Sequence, residues 1–115
     1  MGRIMNLEKI NPIKKDLVEK ILHLVDGYEY LDKMIIFGSS IRDDCREDSD
    51  IDIAVKFTKK CYDRSGVLKP FTLPVCEAIS MTTKGNNDVV YVGYEGELIK
   101  DAVRNGVVVY ERDNV

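Results

Sequence analysis

Histidine occurs once in this chain, cysteine three times, and basic residues are outnumbered by acidic ones, 17 to 20. Each shortage excludes something. A lone imidazole at His23, on the polar side of an expected helix and with no acidic or cysteine partner nearby in sequence, reads as solvated, not catalytic. Cys45, Cys61 and Cys76 are odd in number, widely spaced and without a Cys-x-x-Cys pair, so neither a disulfide framework nor a zinc site follows from them. They read as thiols of a reducing compartment. A formal net charge of −3 argues against general nucleic-acid binding, which needs a basic surface. No segment reaches the roughly 20 apolar residues that span a bilayer, and the start Met1-Gly2-Arg3-Ile4-Met5-Asn6 lacks the apolar stretch of a signal peptide. A cytoplasmic location is expected, with no membrane contact.

What is present is an ordinary globular balance, 44% apolar and 32% charged, in 115 residues that fit one domain over 1–115 with a single core. Asn11-Pro12 reads as an N-cap and first helical residue, followed by Ile13, Leu17, Ile21, Leu24 and Val25 at helical spacing, with Gly27 closing the helix. Met34-Ile35-Ile36-Phe37 is a short buried strand stopped at Gly38, and 39–45 has room for one or two helical turns. Residues 50–57 alternate Ile51, Ile53, Val55 and Phe57 with Asp50, Asp52, Ala54 and Lys56, the pattern of a strand. Residues 59–69 have no sustained period and read as a loop. A helix over 74–84 with Gly85 past its end, a strand over 88–92, a charged amphipathic helix over 95–105 stopped by Gly106 and a strand over 107–110 complete the chain. Tyr28, Tyr30, Tyr91, Tyr94 and Tyr110 read as core or interface aromatics. The fold class is α/β or α+β, one sheet covered by helices.

The chemistry concentrates at Asp50-Ile51-Asp52. Two carboxylates with one residue between them lie on the same face of a strand, where like charges repel unless a divalent cation sits between them. Hard oxygen ligands of this kind suit Mg²⁺ bound jointly with substrate phosphates. Gly38-Ser39 is complementary, because glycine admits close backbone approach and a serine opening a helix presents free N–H groups to an anion. Together they read as a nucleotide-triphosphate site. If Gly38-Ser39 at the end of one strand and Asp50 at the start of the next grip one ligand, those strands run antiparallel. Asp88 opens the third strand, and joining the same site makes that strand parallel to the second, with 74–84 as the crossover helix. A mixed sheet is therefore expected.

Gly38-Ser39, ten intervening residues and Asp50-Ile51-Asp52 resemble the Gly-Ser-x10-Asp-x-Asp signature of the minimal nucleotidyltransferases in the DNA polymerase beta superfamily. Arg42 falls where that family usually has arginine, and Ser49 precedes the carboxylates as is common there. Asn87-Asp88-Val89-Val90 resembles the strand bearing the third carboxylate, and Arg104-Asn105-Gly106-Val107-Val108-Val109-Tyr110 the closing helix-glycine-strand segment. The chain departs from the family's Gly-Ser-x-Ala-Arg-Gly at Ile41 and Asp43, and Asp43 with Asp44 adds negative charge beside the turn.

The resemblance implies nucleotidyl transfer to a hydroxyl acceptor. Asp50 and Asp52 would hold Mg²⁺, two ions in all, and Asp88 would complete the second metal site or take the acceptor proton. Gly38, Ser39, Arg42 and Ser49 would bind the nucleotide, with ATP the expected substrate. The chain is too short to carry the extra domains of polymerases or of larger members, so a partner or another subunit must hold the acceptor. Many stand-alone members act as the antitoxin of a toxin–antitoxin pair and adenylylate a helical HEPN-type ribonuclease on tyrosine. Two alternatives stay open: transfer to a small hydroxyl compound, as in aminoglycoside nucleotidyltransferases, where dimerisation can supply the acceptor wall, and a catalytically silent module that caps a partner.

Overall fold

A computed structural model describes residues 2–26, 28, 30–58, 73–92 and 97–112. The elements in chain order are β1 (Gly2–Ile4), α1 (Pro12–Val25), β2 (Leu31–Phe37), β3 (Ile51–Phe57), α2 (Leu73–Thr83), β4 (Asn87–Tyr91), α3 (Glu97–Arg104) and β5 (Val107–Arg112). Single 3-10 turns occupy Leu7–Lys9 and Gly38–Ile41. The loop expected over 59–69, together with Cys61, Gly27 and Tyr94, lies outside the described residues.

The five strands form one mixed sheet in the order β1-β5-β2-β3-β4. β2 pairs antiparallel with β3, and β3 pairs parallel with β4, the arrangement that the shared-ligand argument requires. α2 lies between β3 and β4 in the chain and makes the crossover. Alternation along the strands divides the core between the two sheet faces. Met34, Ile36, Ile51, Ile53 and Val55 pack with Val18, Ile21, Leu22 and Val25 of α1 and with Val75 and Ile79 of α2. Ile35, Phe37 and Ala54 pack on the other face with Val103 of α3. Asp52 and Asp88 stand two residues before Ala54 and Val90 on their strands, and so extend the α3 face. That face has the smaller cluster, and it ends in polar residues.

Three readings of the sequence change. The α1 stripe turns inward through Lys14, Val18, Ile21, Leu22 and Val25, whereas Ile13 is 44% and Leu24 64% exposed. Apolar residues cover more than half the turn of this helix, so spacing alone does not choose which ones meet the sheet. β1 was not expected, and among the described residues it pairs with β5 alone, as an edge strand of three residues. β2 begins three residues early, at Leu31, because Asp32 and Lys33 hide its start as a polar segment. α1 is otherwise built as its residues specify: Pro12 opens it and the Asn11 side chain accepts from Ile13 N–H at 3.0 Å. α2 ends in Lys84 and Gly85, both left-handed, with Gly85 N–H donating to the Ser80 carbonyl. Among the described residues no helix is long and apolar enough to cross a membrane.

Candidate active site

β2 runs into Gly38 at φ +71°, a left-handed conformation open to glycine at little cost. Glycine is needed there for a second reason: a Cβ on Gly38 would overlap Asp52 Oδ2. The 3-10 turn Gly38–Ile41 follows, closed where Arg42 N–H donates to the Ser39 carbonyl at 2.9 Å. It is one helical turn, of the 3-10 type, where 39–45 has room for one or two. It leaves Ser39 half-buried and Ser40 fully buried, the Ser40 hydroxyl making no hydrogen bond among the described residues.

Asp52 stands at the centre. It pairs with Phe37 across β2–β3 and with Asp88 across β3–β4, so the Gly38 turn and the two carboxylates meet where three strands adjoin. Asp50 precedes β3 and is exposed, as is Asp88, while Asp52 is half-buried. Burial pushes the Asp52 carboxyl above its ordinary range. The charges of Asp88 and Asp50 and a hydrogen bond with Asp88 push the same way, and Arg42 opposes them.

A half-buried carboxyl pressed upward by two like charges is the electrostatic situation that a divalent cation relieves, and all the donors are hard oxygens. The donor set fits Mg²⁺. Among the described residues no three or more His, Cys, Asp or Glu side chains converge into a cage that would hold a metal ion alone. Mg²⁺ commonly takes one or two carboxylates and fills its remaining positions with phosphates and water.

The other expected residues divide. Arg42 is exposed and its Nε donates to Asp44 Oδ1 at 3.1 Å, a contact that holds the Asp44 carboxyl below its ordinary range. Asp43 and Asp44 are both exposed, so neither acid is buried against the Gly38 turn. The Ser49 hydroxyl accepts from Arg46 N–H at 3.1 Å and closes a local turn in the loop before Asp50. Two contacts escaped sequence reasoning: Asn11 Nδ2 donates to the Arg42 carbonyl at 2.8 Å, and Lys14 Nζ to the Glu47 carbonyl at 3.0 Å. A lysine at helical spacing with Val18, Ile21 and Val25 was the available signal.

The Polymerase beta, Nucleotidyltransferase family matches residues 19–115. The chain belongs to that family. Two solved structures share the nucleotidyltransferase fold at low identity. One is the crystal structure of a toxin-antitoxin with AMP-PNP, 20% identical at a TM-score of 0.54, covering 82% of this chain and 70% of that one. The other is a mutant of the toxin-antitoxin MntA-HpeT, 18% identical at a TM-score of 0.54, covering 91% of this chain and 73% of that one. Its mutations exchange two aspartates, one residue apart, for glutamate. No curated protein matches this nucleotidyltransferase in sequence.

Proposed function

We propose that the chain transfers AMP from ATP to a hydroxyl group of a partner protein, in the antitoxin role of a toxin–antitoxin pair. The observation that carries this reading is the position of Asp52, with the Gly38 turn on one side and Asp88 on the other. Membership of the nucleotidyltransferase family supports the chemistry. The toxin-antitoxin fold neighbours, one with AMP-PNP, support the nucleotide and the setting.

Asp50 and Asp52 would hold Mg²⁺, two ions in all; bound metal supplies charge neutralisation of the triphosphate and a lowered pKa for the acceptor hydroxyl. The backbone N–H at the Gly38 turn and the Ser39 hydroxyl bind the β- and γ-phosphates. Arg42 exchanges Asp44 for phosphate oxygen when the nucleotide arrives. The acceptor oxygen attacks the α-phosphorus, the bond to the β-phosphate oxygen breaks, and pyrophosphate leaves. Asp88, exposed on the acceptor side, receives the hydroxyl proton. The acceptor in this reading is a tyrosine of a HEPN-type toxin.

The test incubates the protein with ATP, Mg²⁺ and the product of the neighbouring gene, followed by intact-mass analysis of both. The expected result is added AMP mass on the partner, lost on removing Mg²⁺. Efficient modification of a free small hydroxyl compound, with the partner untouched, would replace this reading by the small-substrate one.

A further inference from the structure

The N-terminal end of α1, with its cap Asn11, grips the Gly38 turn and the segment leading to Asp50 at three carbonyls. Asn11 N–H donates to the Ser40 carbonyl at 2.8 Å, Asn11 Nδ2 to the Arg42 carbonyl at 2.8 Å, and Lys14 Nζ to the Glu47 carbonyl at 3.0 Å. Ser40 follows Ser39 directly, Arg42 stands three residues after Ser39, and Glu47 stands three residues before Asp50. Residues 43–49 contain no helix or strand, so little else fixes the backbone there beyond the Arg46–Ser49 turn and the buried Cys45.

Lys14 is the unusual member. It is 4% exposed, and none of the ion pairs among the described residues includes it. Burying an ammonium against a backbone carbonyl costs desolvation that a single hydrogen bond does not fully offset. It is a poor way to stabilise a fold. It is a strong way to hold one carbonyl in one place, because a charged donor bonds more tightly than a neutral one.

We propose that Asn11 and Lys14 are positioning residues, which hold the phosphate turn and the approach to Asp50 in register so that ATP meets the turn and the carboxylates together. This rests on the nucleotidyl-transfer reading above. Neither side chain is placed on the nucleotide; both act through the carbonyls of Ser40, Arg42 and Glu47. The clamp also ties the active end of the sheet to α1, which otherwise only covers the opposite face.

Two variants of the full chain separate positioning from folding. Lys14→Met keeps an apolar stem and removes the ammonium. Asn11→Ser keeps an oxygen that caps α1 but loses the amide that reaches the Arg42 carbonyl. Hydrogen exchange of the amides over 43–49, without nucleotide, reads the clamp; KM and kcat with ATP and Mg²⁺ read its consequence. The expected result is faster exchange over 43–49 while the sheet stays protected, with KM for ATP raised roughly tenfold and kcat changed less. Unaltered exchange in both variants overturns the clamp, whatever the protein binds. Faster exchange with wild-type KM, including a kcat loss that only tracks the fall in melting temperature, overturns its positioning role. A wild type that neither binds ATP nor transfers AMP overturns the nucleotidyl-transfer reading, and the exchange result still decides whether the clamp exists.

Discussion

The Asp52 carboxylate occupies the space that a Cβ on Gly38 would need, with Asp52 Cγ only 3.1 Å from that position. The turn and the central carboxylate are therefore one packed unit, and a change in either is felt by the other. Gly38→Ala meets two penalties: a left-handed φ, about 1 kcal/mol or more for a residue with a Cβ, and displacement of the Asp52 carboxylate. ATP affinity is expected to fall by more than the loss of stability explains. Titration calorimetry beside thermal melting checks this. Wild-type affinity in a destabilised protein would make Gly38 a packing residue alone.

Asp52 also sets a pH dependence. Its carboxyl is raised above the ordinary 3.8, foremost by burial and then by the Asp88 and Asp50 charges, so the folded protein binds this proton more tightly than the unfolded chain. The stabilisation from the bound proton is fully present below the unfolded value and is lost as pH rises through the folded one. Without divalent metal, the wild type should lose stability as pH rises above the ordinary aspartate range. Asp52→Asn should remove that increment and melt higher than the wild type at neutral pH. Melting curves taken from below the ordinary aspartate range up to neutral pH decide it. A parallel pH profile in the two proteins would count against the cause named here.

Most of this was legible in the residues, and the exceptions have physical reasons. β3 could be read because Ile51, Ile53, Val55 and Phe57 are all buried and alternate with polar or small residues. The strand directions followed from requiring Gly38, Asp50 and Asp88 to meet, a tertiary argument made from chemistry. β1 was invisible because a three-residue edge strand draws its pairing from β5 and has almost no pattern of its own. On α2, Val75 lies in the protein's own core and Cys76 contacts the Tyr91 hydroxyl at 3.5 Å. Ser49 matches a motif position, yet its hydroxyl is engaged by the backbone three residues earlier. Lysine is rarely buried, and nothing local in sequence announces the carbonyl that Lys14 meets.

Gly106 supplies a contrasting glycine. A Cβ there would lie 2.7 Å from Ile35 Cγ2 and 2.9 Å from the Ile36 carbonyl, and a backbone oxygen in a paired strand cannot yield as a side-chain tip can. Gly106→Ala should therefore cost about 1–3 kcal/mol by overpacking where β5 meets β2. In a domain of this size that lowers melting by several degrees, on the order of 4–8 °C per kcal/mol. ATP affinity at low temperature should change far less than in Gly38→Ala. Equal losses of affinity in the two variants would mean that strain in β2 reaches the turn, and that the Gly38 effect is not specific to its contact with Asp52.

Asp88 and Asp52 should separate binding from chemistry. They are register partners on parallel strands, but Asp52 is half-buried against the Gly38 turn and Asp88 is exposed. On the proposed mechanism Asp52→Asn removes a ligand of the metal that carries the nucleotide, so Mg²⁺-dependent ATP binding and transfer should fall together, transfer by a hundredfold or more on the order of a lost metal ligand. Asp88→Asn leaves the turn and Asp50-Ile51-Asp52 in place. It should reduce transfer, by roughly 10²-fold for a lost proton acceptor, while ATP binding with Mg²⁺ changes much less. Its transfer should recover as pH rises and the acceptor hydroxyl ionises unaided. Binding and single-turnover transfer measured from neutral to alkaline pH give both quantities. If Asp88→Asn instead abolishes ATP binding as Asp52→Asn does, the side chain belongs to the nucleotide-bearing metal set and not to the acceptor side. If it changes neither, the third carboxylate has no part in the reaction, and the acceptor proton must leave by another route.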